Sequence, residues 1–261
     1  MKILAIDTSS KKASVAILED LNTLIELNNN DEKTHSQKLM PMIDEAFQKT
    51  NLSLDNIDLI SCSLGPGSFT GVRIGIATAK AFVDSRNIPA VGITSLEGLA
   101  YNMNREGYFC SFINAGHGNV YAGFFHIVKK ENSNYFQTME SDFAFLNLED
   151  ENGNFSSKSL LHFLQKNEKV KLTDNPIHFV GDASITYESL LEILNFDNNN
   201  LIVFAVPHQC EVSSISIAKI GYAKYKNGEY GNSSILSPIY LRKSQAELSL
   251  KKENEEILNG N

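Results

Sequence analysis

One short segment near the start of the chain combines a carboxylate with three hydroxyl groups, Asp7-Thr8-Ser9-Ser10. Mg²⁺ prefers oxygen ligands and keeps several waters, and hydroxyl groups donate hydrogen bonds to phosphate oxygens. Asp7, Thr8, Ser9 and Ser10 are therefore candidate nucleotide-binding residues, with ATP or ADP and Mg²⁺ as the ligands. The same residue types are common in hairpin turns, where they bond to their own backbone, so a purely structural turn is the alternative.

A second segment, Gly65-Pro66-Gly67-Ser68, is a glycine turn that leads into a predicted helix from Phe69 to Val83. Unpaired N–H groups at a helix N-terminus favour an anion. No Gly-Lys-Ser/Thr follows, which excludes a Walker loop, and Thr70 stands where a dinucleotide-binding fingerprint has its third glycine. Alone, the turn does not distinguish phosphate binding from a structural role.

Other catalytic chemistries lack the residues they need. The six histidines include no His-x-x-His or His-x-x-x-His pair, so the sequence predicts no helical metal site. The Gly-x-Ser-x-Gly nucleophile motif does not occur. Cys62, Cys110 and Cys210 are widely spaced and odd in number, which favours reduced, mostly buried thiols. Asp182 follows a predicted strand and could touch a ligand, but Gly-Asp is also an ordinary turn.

Composition limits the classes of partner. The chain has 261 residues, of which 42% are hydrophobic, and a net charge of −8. Since neutralising phosphates supplies most non-specific affinity for nucleic acids, we expect the isolated chain to bind RNA poorly and to contact it through another subunit. The longest apolar run, Leu201 to Val206, is far too short to cross a membrane. The first residues lead straight into a strand pattern without a charged leader, so we expect a cytoplasmic protein.

The spacing of apolar residues predicts the elements that position these segments. The first hundred residues follow a β-β-β-α-β-α-β-α order, which is typical of an α/β fold with a mixed sheet. A short helix from Ser95 to Asn104, with Ser95 as its cap, ends this part. Polar loops around a weak strand and a short helix are expected over residues 129–175. Further strands and helices are predicted at Tyr108–Ile113, Val120–Val128, His178–Gly181, Ser184–Leu194, Ile202–Val206 and Val212–Lys226.

Two predicted helices could form a surface for a partner. In helix 69–83, Gly71, Gly75 and Ala79 recur every four residues and form a flat stripe that another backbone could approach closely. A helix that is apolar nearly all round is buried on more than one side, so the stripe faces either the core of this chain or a partner. Helix 34–49 carries Met40 and Met42, and methionine suits adaptable interfaces.

Several segments resemble the TsaB (YeaZ) family. They are MKILAIDTS at 1–9, THSQ at 34–37 with LMPM at 39–42, LGPGSFTGVRIG at 64–75, INA at 113–115 with GNVY at 118–121, and PIYLR at 238–242. The resemblance implies an actin/Hsp70-like α/β fold of two lobes. The first lobe would comprise residues 1–100 and about 212–242, and the second about 101–211, followed by a charged, disordered tail over 243–261.

The resemblance also implies a function. TsaB is the non-catalytic subunit that binds and activates TsaD, its paralogue, which transfers a threonylcarbamoyl group to adenosine 37 of tRNA. The ATPase TsaE joins them and tRNA is bound only through the complex. A homodimer in the absence of TsaD is the alternative to the heterodimer, and the sequence does not decide between them. The chain itself would require no cofactor. The residues expected at the partner interface are His35, Leu39, Met40, Met42, Ile43, Phe69, Gly71, Val72, Arg73, Gly75, Ile76, Ala79 and Lys80.

One departure from the family pattern bears on catalysis. The family commonly has Ile-Asp-Ala-Arg where this chain has Ile113-Asn114-Ala115-Gly116. The change removes a carboxylate and a guanidinium that could touch metal or phosphate, which argues against ATP hydrolysis. The alternative function is a stand-alone enzyme of the same superfamily, either ATPase- or kinase-like or glycoprotease-like.

Overall fold

Two five-stranded sheets form the framework of the protein. The computed structural model describes residues 1–30, 35–148, 158–166, 176–181, 202–205 and 210–241. The first sheet contains β1 (Lys2–Asp7), β2 (Ala13–Glu19), β3 (Asn22–Asn29), β4 (Leu59–Ser63) and β5 (Ala90–Ile93). The second contains β6 (Gly107–Gly116), β7 (Asn119–Lys129), β8 (Phe136–Asn147), β9 (Ile177–Gly181) and β10 (Ile202–Phe204). The helices are α1 (His35–Thr50), α2 (Phe69–Arg86), α3 (Ser95–Tyr101), α4 (Lys158–Lys166) and α5 (Ser214–Lys226).

The two sheets repeat one topology. Their strand orders are β3-β2-β1-β4-β5 and β10-β9-β6-β7-β8. In the first sheet β1 pairs antiparallel with β2 and parallel with β4, and in the second β6 pairs antiparallel with β7 and parallel with β9. This duplication is a property of strand pairing, which residue patterns alone do not reveal.

The first sheet is covered on both faces because β1 is apolar on both. Leu4 and Ile6 lie in a core formed with α1 and α2. Ile3 and Ala5 point to the opposite face, into a second core that includes α3, α5 and residues of the second sheet. The helices α3 and α5 therefore pack against both sheets. Among the described residues, no helix has the length and hydrophobicity of a transmembrane segment.

The boundaries of α3 differ from the sequence prediction. Thr94, not Ser95, caps the helix, because Thr94 Oγ1 accepts a hydrogen bond from the N–H of Glu97 at 3.0 Å. The helix ends at Tyr101 rather than Asn104, which has a left-handed φ of 47° that ordinary helix cannot continue. The capping hydroxyl was therefore predicted one residue too late.

The weak strand and the short helix expected within residues 129–175 are β8 and α4. Strand β8 has 12 residues and pairs along its length with β7. Phe143 and Phe145 pack against the core between the sheets, and Leu146 packs into a third core on the other face. Cross-strand pairing stabilises this strand despite its polar composition. Asp182, the predicted helix over 184–194, Arg242 and the tail 243–261 lie outside the described residues.

Candidate functional site

Asp7 lies at the carboxyl end of β1 and is fully buried. Its Oδ1 accepts hydrogen bonds from the Ser9 N–H at 3.2 Å and from Ser9 Oγ at 2.6 Å, while Oδ2 has no hydrogen-bond partner among the described residues. Burial raises the pKa of the Asp7 carboxyl above its ordinary value of 3.8, and the hydrogen bonds from Ser9 oppose that shift. The carboxyl is thus enclosed by the chain itself.

The hairpin turn after Asp7 closes against the glycine turn and α2. Thr8 Oγ1 donates to the carbonyl oxygen of Gly71 at 2.7 Å, and the Ser68 N–H donates to the carbonyl oxygen of Ser9 at 2.7 Å. A Cβ at Gly67 would overlap the Ser9 carbonyl. The glycine turn therefore packs against the β1–β2 hairpin. In the sequence analysis, anion binding was the other role considered for this turn. Of the four predicted nucleotide-binding residues, only Ser10 reaches solvent, since Asp7, Thr8 and Ser9 are buried.

The small-residue stripe of α2 faces this chain, so its assignment to a partner surface is wrong. A Cβ at Gly71 would overlap the carbonyl oxygen of Thr8, and one at Gly75 would overlap Thr8 Oγ1. Ala79 is fully buried. The glycines let α2 approach the end of β1 closely, which is a packing role.

Further predicted interface residues also belong to the core. Val72 and Ile76 of α2, and Leu39, Met42 and Ile43 of α1, are buried in the cluster between these helices and the sheet. At most 8% of any of these side chains is exposed, so they offer a partner little surface. The side chain of His35 lies outside the described residues.

The outer face of α1 and α2 consists of other residues. Met40 is 50% exposed, whereas Leu39 and Met42 of the same helix are buried. On α2, Ala77 and Ala81 are exposed and Ile74 is partly exposed. We call Met40, Ile74, Ala77 and Ala81 the α1–α2 face. Of these four residues, sequence analysis predicted only Met40 as an interface residue. A spacing of four residues does not show which side of a helix is buried and which is exposed.

A cation and two aromatic rings border the α1–α2 face. The rings of Phe69 and Tyr240 stack with centroids 4.7 Å apart and planes inclined by 9°. Exposed Arg73 donates from Nε to the hydroxyl of Tyr240 at 2.8 Å. The Ile239 N–H, which donates to the carbonyl oxygen of Leu64 at 2.8 Å, holds this part of the chain in place. Of the predicted interface residues, Phe69 and Lys80 are partly exposed.

The turn of the second sheet that carries the family departure is bonded internally. Asn114 Oδ1 accepts a hydrogen bond from the Gly116 N–H at 2.7 Å. Gly116, His117 and Gly118 all have positive φ, which glycine tolerates best. Across the described part of the chain, no three His, Cys, Asp or Glu side chains form a group that could hold a metal ion.

Comparison with known proteins identifies the family. Residues 27–250 match the family model described as "TsaD: tRNA N6-adenosine threonylcarbamoyltransferase". The tRNA threonylcarbamoyladenosine biosynthesis protein TsaB of Bacillus subtilis is 29% identical over 95% of this chain and 96% of that protein. The chain belongs to this family, in its TsaB (YeaZ) group.

Other relatives agree with that assignment. TsaB of Escherichia coli is 35% identical over 46% of this chain and 53% of its own length. YeaZ from Pseudomonas aeruginosa has the same fold, with a TM-score of 0.68 at 19% identity over 92% of this chain and 99% of YeaZ. The two-sheet mixed α/β fold of this chain is thus the fold of YeaZ.

Proposed function

We propose that this chain acts in the biosynthesis of threonylcarbamoyladenosine in tRNA, as a subunit without catalytic activity of its own. It binds a TsaD-type transferase through the α1–α2 face. The relative from Bacillus subtilis, similar over nearly the whole chain, carries the name of this pathway, and the family model that the chain matches is named for the transferase.

The exposure of the α1–α2 face is the observation that carries the proposal. Met40 exposes half of its surface, whereas Leu39, Met42, Ile43 and Ala46 of the same helix are buried. Ala77 and Ala81 are small, which lets a second helix approach closely, and their exposure leaves room for it. Arg73, at the border of this face, adds a positive charge and two aromatic contacts, and aromatic residues and arginine are enriched at interfaces.

The Asp7 turn and the Asn114 turn both support a non-catalytic role. Thr8 and Ser9 use their hydroxyls inside the chain, and Asn114 uses its amide oxygen within its own turn. A nucleotide with Mg²⁺ in the complex would then bind at the subunit interface rather than at Asp7. TsaE and tRNA would join through the complex, and a second copy of this chain would occupy the α1–α2 face when the transferase is absent.

The test compares two methionines of similar exposure, Met40 at 50% and Met139 at 55%. Met40→Asp places a charge in the proposed interface, whereas Met139→Asp places the same charge on β8. We expect Met40→Asp to weaken binding to the TsaD protein of the same organism at least tenfold, about 1.4 kcal/mol, because the carboxylate would be desolvated without a partner. Met139→Asp should bind like the wild type in calorimetric titration.

Equal affinities for both variants would place the interface elsewhere and contradict the proposed surface. The catalytic alternative is checked separately, by measuring ATP turnover of the purified chain with and without the transferase. Substantial turnover by the chain alone would contradict the subunit role.

A further inference from the structure

A small cavity lies between the two sheets, far along the chain from the Asp7 turn. Its volume is about 140 Å³, enough for roughly five waters at ~30 Å³ each. The walls come from the β2–β3 turn, the end of α3, the start of β8 and the middle of α5. The lining residues used below are Leu21, Tyr101, Asn104, Tyr135, Phe136 and Lys219. A larger depression of about 600 Å³ nearby is lined only by consecutive residues 129–134, so it is the outer surface of one turn.

This cavity is separate from the nucleotide region predicted from the sequence. Asp7 ends β1, whereas Leu21 lies at the opposite end of the same sheet, in the turn after β2. Tyr135 and Phe136 likewise lie where β8 begins, on the side of the second sheet away from the Asn114 turn. The cavity is also distinct from the α1–α2 face.

Lys219 brings a half-buried positive charge to the cavity without a counter-charge. Its Nζ donates to Asn104 Oδ1 at 3.3 Å, and no carboxylate among the described residues forms an ion pair with it. Lys224, farther along the same helix, does have such a partner in Glu97. An ammonium group carries three donors, so two remain beyond the bond to Asn104.

The partial burial of the Lys219 charge favours the binding of an anion in the cavity. Partial burial lowers the pKa of Lys219 because the charged form loses hydration. A desolvated charge is costly unless it is paired, and an anion in the cavity would supply the missing pair. Among the described residues that line the cavity, Lys219 is the only cation, which favours a ligand with a single negative charge.

The walls favour an organic ligand over an inorganic one. Tyr101 donates its hydroxyl proton to the carbonyl oxygen of Phe136, so its ring forms a fixed wall. The ring of Tyr135 is held edge-on against Tyr222, with centroids 5.7 Å apart. We propose that this cavity binds a small monocarboxylate whose carboxylate pairs with Lys219 Nζ and whose body packs against the rings of Tyr101 and Tyr135.

The direct test uses the full chain labelled with ¹³C at the lysine side chains. Sodium acetate, sodium benzoate and sodium phosphate are titrated at constant ionic strength, and the Cε–Hε signal of Lys219 is identified by its loss in Lys219→Met. We expect this signal to shift saturably with both carboxylates, with benzoate binding more tightly because its ring contacts the aromatic walls. Exposed Lys226 of the same helix should show no saturable shift.

Two variants measure the contribution of charge and of space. Lys219→Met should weaken benzoate binding at least tenfold in calorimetry, whereas Lys226→Met should leave it unchanged. Leu21→Trp keeps the charge but fills the cavity, and it should also abolish binding; it decides the question if Lys219→Met does not fold. The proposal is overturned if neither carboxylate saturates the Lys219 signal, if phosphate binds more tightly than both, or if Leu21→Trp binds like the wild type.

Discussion

Lys224 Nζ donates to Glu97 Oε2 at 2.7 Å, and this ion pair joins α5 to α3 between the two sheets. The other oxygen of Glu97, Oε1, accepts a hydrogen bond from Thr138 Oγ1 of β8 at 2.7 Å. The side chain of Glu97 is only 5% exposed and that of Lys224 is 26% exposed. The Glu97 carboxylate therefore links α3 and α5, which pack on the first sheet, to β8 at the edge of the second sheet.

Glu97→Gln should destabilise the chain by roughly 1.5–3 kcal/mol, the usual worth of a hydrogen bond to a charged group. The variant keeps the shape of the side chain but leaves Lys224 without its counter-charge. Urea unfolding at an unchanged slope measures the effect. The control is Glu45→Gln, which breaks an exposed ion pair with Lys49. The side chains of Glu45 and Lys49 are 50% and 56% exposed. That change should stay within about 0.5 kcal/mol, so equal effects would refute a special role for Glu97.

Gly75→Ala tests the close contact between α2 and Thr8. The new Cβ would overlap Thr8 Oγ1, whose hydroxyl donates to the carbonyl of Gly71. We expect a loss of roughly 1–3 kcal/mol in stability, as for other overpacked sites. In a Thr8→Ala background the same change should cost little or even stabilise, because alanine favours helix by about 1 kcal/mol over glycine.

The double-mutant cycle separates steric overlap from other causes. Additive effects of Thr8→Ala and Gly75→Ala would mean that the two residues do not oppose each other. In that case the stripe on α2 would be free of the hairpin, and its assignment to a partner surface would regain support.

The Asp7 carboxyl should give a pH-dependent stability. Since burial raises the pKa above 3.8, the stability contributed by the protonated form is fully present below that value and is lost as pH rises through the raised pKa. Asp7→Asn cannot ionise. The stability of the wild type relative to this variant should therefore fall as pH rises above about 4.

Urea unfolding at several pH values measures this difference. Asp44→Asn is the control for exchanging a carboxylate for an amide at an exposed position. A difference between wild type and Asp7→Asn that stays constant or rises with pH would contradict the burial effect.

The sequence predictions succeeded where local signals along the chain determine the structure. The order of strands and helices in the first hundred residues and the start of α2 at Phe69 were predicted correctly, because apolar periodicity and turn residues are local signals. Two of the three cysteines, Cys62 and Cys110, are buried free thiols as expected, and Cys210 is a partly buried one. The long strand β8 was expected only as a weak strand, because pairing with β7, rather than its own composition, stabilises it.

The features of the candidate site also fall into those set by local sequence and those set by tertiary packing. The sequence by itself determined the elements, the α/β class and the motifs that carry the family resemblance, since these depend on neighbours in the chain. Only the tertiary structure decided that Gly71 and Gly75 face Thr8, that Met40 is left exposed, and that Glu97 meets Lys224. The two sides of a helix have the same spacing, and only the packing of distant segments determines which side is buried.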